Sequence, residues 1–218
     1  MDAHRFLLTD HINLWFDIFN LLDLKSQLSL LFTCGSFKNN LSIIDLCDID
    51  AKYLKVLTND ILRFDIFKYV TKLKANNMKI TNVSFMTNLK KLVVLSSSGI
   101  DQNAINGLDL VELDACNIEK ITNVSFMTNL KKLNAWGNCG IDQYDINGLD
   151  LVELNAGYNN KITDASFMKE LKILYTSGNC GIDQNGINGL DLVELYTYNN
   201  NKITNVSFMK NLKLYNKN

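Results

Sequence analysis

The sequence predicts an α/β solenoid in which short parallel strands stack into one right-handed coil, preceded by a small helical module. A 41-residue segment that begins at Leu130 recurs as near-copies that begin at Leu89 and Leu171. Each segment holds a 21-residue unit followed by a 20-residue unit, and both units share one spacing of apolar residues. A fixed period of this size is typical of solenoids, because each unit buries its apolar face only against its neighbours.

Residues 1–41 contain no copy of the repeat, and their apolar spacing predicts helices. The two predicted helices carry apolar positions at Ile12, Trp15, Ile18, Phe19 and Leu22, and at Leu24, Leu28, Leu31 and Phe32.

This stretch resembles the F-box, a helical module that binds a Skp-type adaptor of ubiquitin ligases and often precedes repeats of this kind. The resemblance implies that adaptor binding falls to residues 12–41, at Ile18, Phe19, Leu22, Leu24 and Leu28. The usual Leu-Pro opening is absent, and Phe37 stands where a Trp is usual. The alternative is a plain helical cap, which a solenoid needs because an uncovered repeat end exposes core and strand edge.

Residues 42–69 predict a longer, degenerate first repeat. Leu41, Ile44, Leu46 and Ile49 repeat the strand spacing, and the next stretch, AKYLKVLTNDILRF, has the pattern of a helix. Because the segment lacks stretches rich in Gly, Pro and Ser, a flexible linker is disfavoured.

Residues 70–218 form the repeat region. In every unit the first, fourth and sixth residues are apolar or small, as in Leu130, Leu133 and Ala135, which predicts a short strand with one buried face. We expect strands near residues 91–95, 111–115, 132–136, 152–156, 173–177 and 193–197. The ninth residue is often Asn, and a buried ladder that bonds backbone groups of the turns is predicted at Asn138, Asn159, Asn179 and Asn200.

The return segments are too short for full helices, so turns or 3₁₀ segments are expected there. One kind of return, ITNVSFMTNL, is expected to bury Ile121, Val124 and Phe126. The other kind, IDQYDINGLDL, is expected to bury Ile141, Ile146 and Leu149.

The unit resembles the leucine-rich repeat, LxxLxLxxNxL, in its short form. The resemblance implies that the strands line a concave face. Residue three of successive units alternates in charge, through Lys91, Glu112, Lys132 and Glu153, which are expected to pair across strands. Aromatic residues gather on the same face in the last four units, at Trp136, Tyr158, Tyr175, Tyr196 and Tyr198.

This aromatic group suggests a surface that binds a protein target, because exposed aromatics concentrated on one face exceed scattered surface apolar residues. The alternative is that the rings shield a core thinned by Ala and Thr, or stack along the sheet. Nucleic-acid binding is disfavoured, since the net charge is −1 and Arg does not interleave with the aromatics.

No catalytic, cofactor-binding or metal-binding residues are expected. The two histidines, His4 and His11, precede the repeats, so no residue of the repeat region has a histidine base close in sequence. Five cysteines without CxxC spacing argue against both a zinc site and a disulfide framework, and favour reduced thiols in an intracellular, cytoplasmic protein. No apolar run reaches the ~20 residues that span a bilayer, so no membrane association is expected.

The leading hypothesis is therefore a non-enzymatic, monomeric F-box-like receptor that links a target on the concave face to a ubiquitin-ligase adaptor. A stand-alone interaction solenoid and a surface adhesion protein are the alternatives. The F-box-like start, the Asn/Ile/Lys-rich repeats and the absence of proline resemble F-box and leucine-rich-repeat proteins of large amoeba-infecting DNA viruses. That resemblance would place the protein in the host cytoplasm.

Overall fold

A computed structural model describes residues 45–46, 58–63, 70–75 and 79–216. Within these ranges, nine strands form one sheet in chain order, and every neighbouring pair is parallel. The predicted α/β solenoid is therefore confirmed. The strands are β1 (Asp45–Leu46), β2 (Lys72–Ala75), β3 (Lys91–Val94), β4 (Glu112–Asp114), β5 (Lys132–Asn134), β6 (Glu153–Asn155), β7 (Ile173–Tyr175), β8 (Glu194–Tyr196) and β9 (Leu214–Asn216).

The strands share one register because successive turns of the coil are nearly equal in length. From β2 to β8 the central leucines of neighbouring strands lie beside one another, and each is almost fully buried. The flanking strand residues point away from the core, as the two-residue alternation of a strand requires. Burying these leucine side chains supplies about 1.5–3 kcal/mol each. The buried leucines are Leu73, Leu92, Leu113, Leu133, Leu154, Leu174 and Leu195.

Short helices occupy one kind of return segment. Asp101 caps α2 (Gln102–Ile105) by accepting a hydrogen bond from the Ala104 N–H. Asp142 caps α3 (Gln143–Ile146) and completes a capping box with Asp145. The equivalent segment of the last period is a 3₁₀ helix, Asn185–Ile187, and a further short helix, α1 (Asn59–Leu62), precedes β2. Ile141, Ile146 and Leu149 are buried as predicted.

The other kind of return segment consists of turns without a helix. Here one prediction is wrong, because a residue expected in the core lies at the surface. The Met127 N–H donates to the Val124 carbonyl, and this turn directs both Val124 and Met127 into the core. Phe126 is displaced to the surface and is 37% exposed. The methionine, whose unbranched side chain fills irregular gaps, therefore takes the place expected for the phenylalanine.

The predicted asparagine ladder holds in only one kind of unit. Asn159 and Asn200 are buried, and each donates through Nδ2 to two carbonyls of the preceding unit. Asn138 and Asn179 are not buried, and the buried position beside them belongs to Cys139 and Cys180.

The two kinds of turn are nevertheless equally long, because Ile141 follows Leu130 by eleven residues, as Ile162 follows Leu151. The extra residue of the longer unit lies in its return segment. The turns differ in sequence: Gly140, whose backbone lies close to the carbonyls of the preceding unit, stands where the shorter kind has a lysine. The inward side chain is the tenth residue in one kind and the ninth in the other, so a ninth-residue rule fails in every second unit.

A second set of polar contacts joins the return segments, and the apolar spacing of the sequence does not reveal it. Oε1 of Gln143 accepts hydrogen bonds from the backbone N–H groups of Thr163 and Asp164, and its Nε2 donates to the Asp164 carbonyl. Gln102 and Gln184 repeat this arrangement one period before and one period after. In an earlier unit, Asn59 accepts the corresponding pair of bonds from the next return segment.

The N-terminal module lies outside the described residues. The five residues assigned to adaptor binding, Ile18, Phe19, Leu22, Leu24 and Leu28, fall there and stay predictions. Of the segment predicted as a degenerate first repeat, β1 and α1 are described, and β1 pairs in parallel with β2.

Candidate functional site

The outer face of the sheet, meaning the face whose side chains point away from the core, carries the candidate site. On its first half, opposite charges pair between adjacent strands. The Lys91 Nζ lies 2.7 Å from Glu112 Oε1, and the Lys132 Nζ lies 2.9 Å from Glu153 Oε2. The bond to Glu153 raises the pKa of Lys132. Because these pairs are largely solvated, each contributes only about 0.2–1 kcal/mol, and the main effect is a polar, neutralised surface.

The third period breaks this charge pattern. Ile173 occupies the register position of Lys132 and lies beside Glu194 in the sheet. In the described part of the chain no cation pairs with Glu194, whose Oε2 instead accepts a 2.8 Å hydrogen bond from the Tyr196 hydroxyl. This bond is the main reason that the pKa of Tyr196 rises to about 12. The outer face therefore changes character at β7, from paired charges to apolar and aromatic groups.

Two of the predicted aromatic residues form a stacked pair at this transition. The rings of Tyr175 and Tyr196 are 4.3 Å apart between centroids and are inclined by only 6°. The two residues are register partners on β7 and β8, so the strand spacing itself holds the rings face to face. Stacking of this kind contributes about 0.5–1.5 kcal/mol beyond simple burial.

A second aromatic pair lies where β5 and β6 lead into their turns. The centroids of Trp136 and Tyr158 are 5.2 Å apart, with the rings tilted by 57°. Each ring lies against a glycine of the following unit. A Cβ at Gly157 would come within 2.8 Å of the indole, and one at Gly178 within 2.4 Å of the phenol ring. The glycines therefore let the rings lie close to the backbone.

Tyr198 completes the group without stacking on the other four rings within the described residues. It is 49% exposed, and Tyr158 is 47% exposed, whereas Trp136, Tyr175 and Tyr196 are partly buried. We call the five residues Trp136, Tyr158, Tyr175, Tyr196 and Tyr198 the aromatic patch. The structure brings four of them together as two pairs and places the fifth on the same face. The rings therefore stack along the sheet, as one hypothesis expected, and two of them are also exposed to a partner, as the other expected.

The chemistry of the described cysteines is that of buried thiols. Cys139 and Cys180 are unpaired, and burial raises the pKa of each to about 11. Cys116 is partly buried, and burial and the neighbouring Asp114 raise its pKa as well. Thiolate, the nucleophilic form, is thus suppressed at all three positions at neutral pH.

Among the described residues, no group of three or more His, Cys, Asp or Glu side chains is arranged to hold a metal ion. No helix in that part of the chain is long and apolar enough to cross a bilayer.

Comparison with known proteins identifies no relative: no family model, no curated protein and no solved structure matches this chain. We therefore infer the function from the surface chemistry of the solenoid itself.

Proposed function

We propose that this protein is a non-enzymatic interaction module that holds a protein partner on the outer face of its sheet, through the aromatic patch. The observation that carries the proposal is the concentration of Trp136, Tyr158 and Tyr198 beside a stacked tyrosine pair on one face. Trp and Tyr are enriched among residues that dominate binding energy, because they bury a large area with few rotatable bonds. The solenoid holds each ring at a fixed position, which lowers the entropic cost of binding.

The partner experiment compares exposed tyrosines on different faces. A tagged protein carrying Tyr158→Ala and Tyr198→Ala is cross-linked in its native cells and its partners are identified by mass spectrometry. The matched control is Tyr144→Ala, since Tyr144 is 83% exposed but lies on α3, away from the sheet. We expect a protein captured by the wild type and by the control to be lost from the double variant. Identical partner sets for all three would contradict the proposal.

For the N-terminal residues we propose the F-box-like role, in which Ile18, Phe19, Leu22, Leu24 and Leu28 bind a Skp-type adaptor and so connect the partner to a ubiquitin ligase. The support is the sequence resemblance alone. Replacing Ile18 and Leu28 with Asp should abolish binding of purified adaptor while the circular dichroism of the repeats persists. An intact wild type without micromolar affinity for the adaptor would favour the runner-up, a stand-alone interaction solenoid with a helical cap.

The proposed receptor would act inside the cell as a monomer. Lys210 and Lys213 precede β9 and discourage pairing of that edge with another chain. Light scattering at rising concentration tests this, with a constant mass near the 24.8 kDa of the sequence expected. A rise toward twice that mass would show end-to-end association.

A further inference from the structure

Glu194 can be compared with the carboxylates at the same position in the two earlier periods. In the first two periods the equivalent carboxylates, Glu112 and Glu153, each bind a lysine of the preceding strand. In the third period that lysine is replaced by Ile173. Among the described residues, Glu194 is therefore the glutamate at this strand position that no lysine of the preceding strand neutralises.

The carboxylate is also fixed in position. Its Oε2 accepts the Tyr196 hydroxyl, which leaves Oε1 without a hydrogen-bond partner in the described part of the structure. Tyr196 is in turn held by its stack with Tyr175. Glu194 and Tyr196 alternate on β8, and Tyr198 follows at the start of the turn, with the buried Thr197 between the two tyrosines. The Gly178 N–H still donates to the Tyr198 carbonyl, as the Thr176 N–H does to that of Tyr196, so the alternation continues and all three side chains leave the same face.

These groups attract one kind of ligand. A carboxylate attracts cations, and the faces of tyrosine rings attract them too. The planar guanidinium of arginine combines both interactions, because it stacks on aromatic rings and presents several N–H donors to a carboxylate in a fixed geometry. The small, strongly hydrated ammonium of lysine gains less from the rings.

We propose that Glu194, Tyr196 and Tyr198 form a subsite for arginine, and that the protein partner seated on the aromatic patch inserts an arginine side chain there. The inference rests on the proposed function and specifies the partner: a segment with at least one exposed arginine next to apolar residues that pack on Tyr158 and Ile173. Charge complementarity selects this partner over an acidic one.

The test measures binding of a fluorescein-labelled tetra-arginine peptide by fluorescence anisotropy, with tetra-lysine and tetra-glutamate peptides alongside. Two variants of the full chain prevent arginine binding at the subsite in different ways. Glu194→Gln removes the charge, and Ile173→Lys restores the internal ion pair of the earlier periods without removing any group of the subsite. Glu153→Gln is the matched control, because Glu153 already binds Lys132.

We expect the wild type to bind tetra-arginine more tightly than tetra-lysine and to leave tetra-glutamate unbound. Glu194→Gln and Ile173→Lys should each weaken the affinity about tenfold or more, as loss of a charge-assisted hydrogen bond requires, and Glu153→Gln less than about twofold. Alkaline titration of tyrosine absorbance provides a spectroscopic check: the last part of the tyrosine ionisation, to which Tyr196 contributes, should move to lower pH in both variants.

Four results would each overturn the subsite: no binding of tetra-arginine by the wild type, equal affinity for tetra-lysine, equal weakening by Glu153→Gln and Glu194→Gln, or unchanged binding by Ile173→Lys. Loss of the arginine subsite can be distinguished from loss of the whole interaction surface. A partner that depends on Tyr158 and Tyr198 but binds Ile173→Lys normally would leave the interaction surface standing and remove only the arginine.

Discussion

Cys139 fills in one unit the buried turn position that Asn159 fills in the next. Oδ1 of Asn159 accepts a hydrogen bond from the backbone N–H of Lys161, two residues further on. Its Nδ2 donates to the carbonyls of Ala135 and Ile141, and a thiol, which has one weak donor, cannot make both of these bonds. Alternate units therefore differ in how strongly their turns are attached to the preceding unit.

Asn159→Ala should lower the free energy of unfolding by about 2 kcal/mol or more, because two buried carbonyls and one N–H lose their partner. Asn160→Ala is the control, since the neighbouring side chain is exposed, and it should change the stability by less than about 0.5 kcal/mol. Urea unfolding of both variants provides the measurement. Equal urea midpoints for the two variants would show that the buried Asn159 amide does not stabilise the turn.

Asn138→Ala, in the longer kind of unit, should cost clearly less than Asn159→Ala. Its side chain is exposed and bonds to the Glu119 carboxylate at the surface, so solvent replaces the lost contact. The same unfolding experiment provides the comparison. A loss as large as that of Asn159→Ala would restore the continuous ladder that the structure argues against.

Gly140→Ala should be among the most damaging small substitutions, with a cost of about 3 kcal/mol. A Cβ there would lie 2.2 Å from the Ile121 carbonyl oxygen and 2.4 Å from that of Glu119, and backbone atoms cannot easily move aside. Gly148→Ala is the matched comparison: its φ of 84° is unfavourable for alanine, but nothing lies within 4 Å of the new carbon. We expect about 1 kcal/mol there. Thermal unfolding that ranks Gly148→Ala as the worse variant would contradict the close approach at Gly140.

The cysteines should differ in reactivity in the folded protein. At pH 8, iodoacetamide should modify Cys116 faster than Cys139 or Cys180, since the two buried thiols have a pKa of about 11 and little access to reagent. Mass spectrometry of tryptic peptides gives the rates, and the difference should vanish in denaturant. Equal rates under native conditions would mean that the turns open readily.

The same pKa values predict a loss of stability in alkali. The ordinary thiol pKa of 9.0 applies to the unfolded chain, whereas the folded value is about 11. The stabilisation is fully present below pH 9 and is lost as the pH rises toward 11, because the unfolded state ionises first. Tyr196, raised from 10.0 to about 12, acts in the same direction over a slightly higher range. Replacing both buried cysteines with Ala should flatten the decline of the melting temperature between pH 9 and 11.

Gln143→Ala should lower stability by about 1–2 kcal/mol, because Thr163 and Asp164 lose the acceptor for their N–H groups. Gln143→Glu should cost less, since a carboxylate still accepts both bonds and loses the donor to the Asp164 carbonyl and to Asn147 Oδ1. Calorimetric unfolding distinguishes the three proteins. Equal losses for Ala and Glu would mean that the two N–H bonds add nothing beyond the bonds that Glu also loses.

The parts of the fold that follow from a strict period can be predicted from the sequence. Leu133 and its equivalents belong to the buried face because the strand alternation allows only one inward residue at that place. Lys132 and Glu153 are expected to pair because they hold the same column of adjacent strands, and they do. Both inferences need only the spacing.

The parts that depend on turn geometry cannot be predicted in the same way. Turns of equal length place Asn138 at the surface and Asn159 in the core, so spacing counted from the strand does not reveal which turn residue points inward. Gln143 escapes prediction because its partners lie a full unit ahead, in the next return segment. The recurrence of GIDQ at Gly99, Gly140 and Gly181 is the available signal.

The alternation of asparagine and cysteine turns, with one glutamine in every second unit, makes a pair of units the natural building block of this chain. Duplicating or deleting one such pair would restore at the junction the contacts that recur from period to period, and would change the length of the sheet by two strand spacings, about 9.6 Å. Removing a single unit would instead place two returns of the same kind side by side. The repeat region can therefore be lengthened or shortened only in steps of two units.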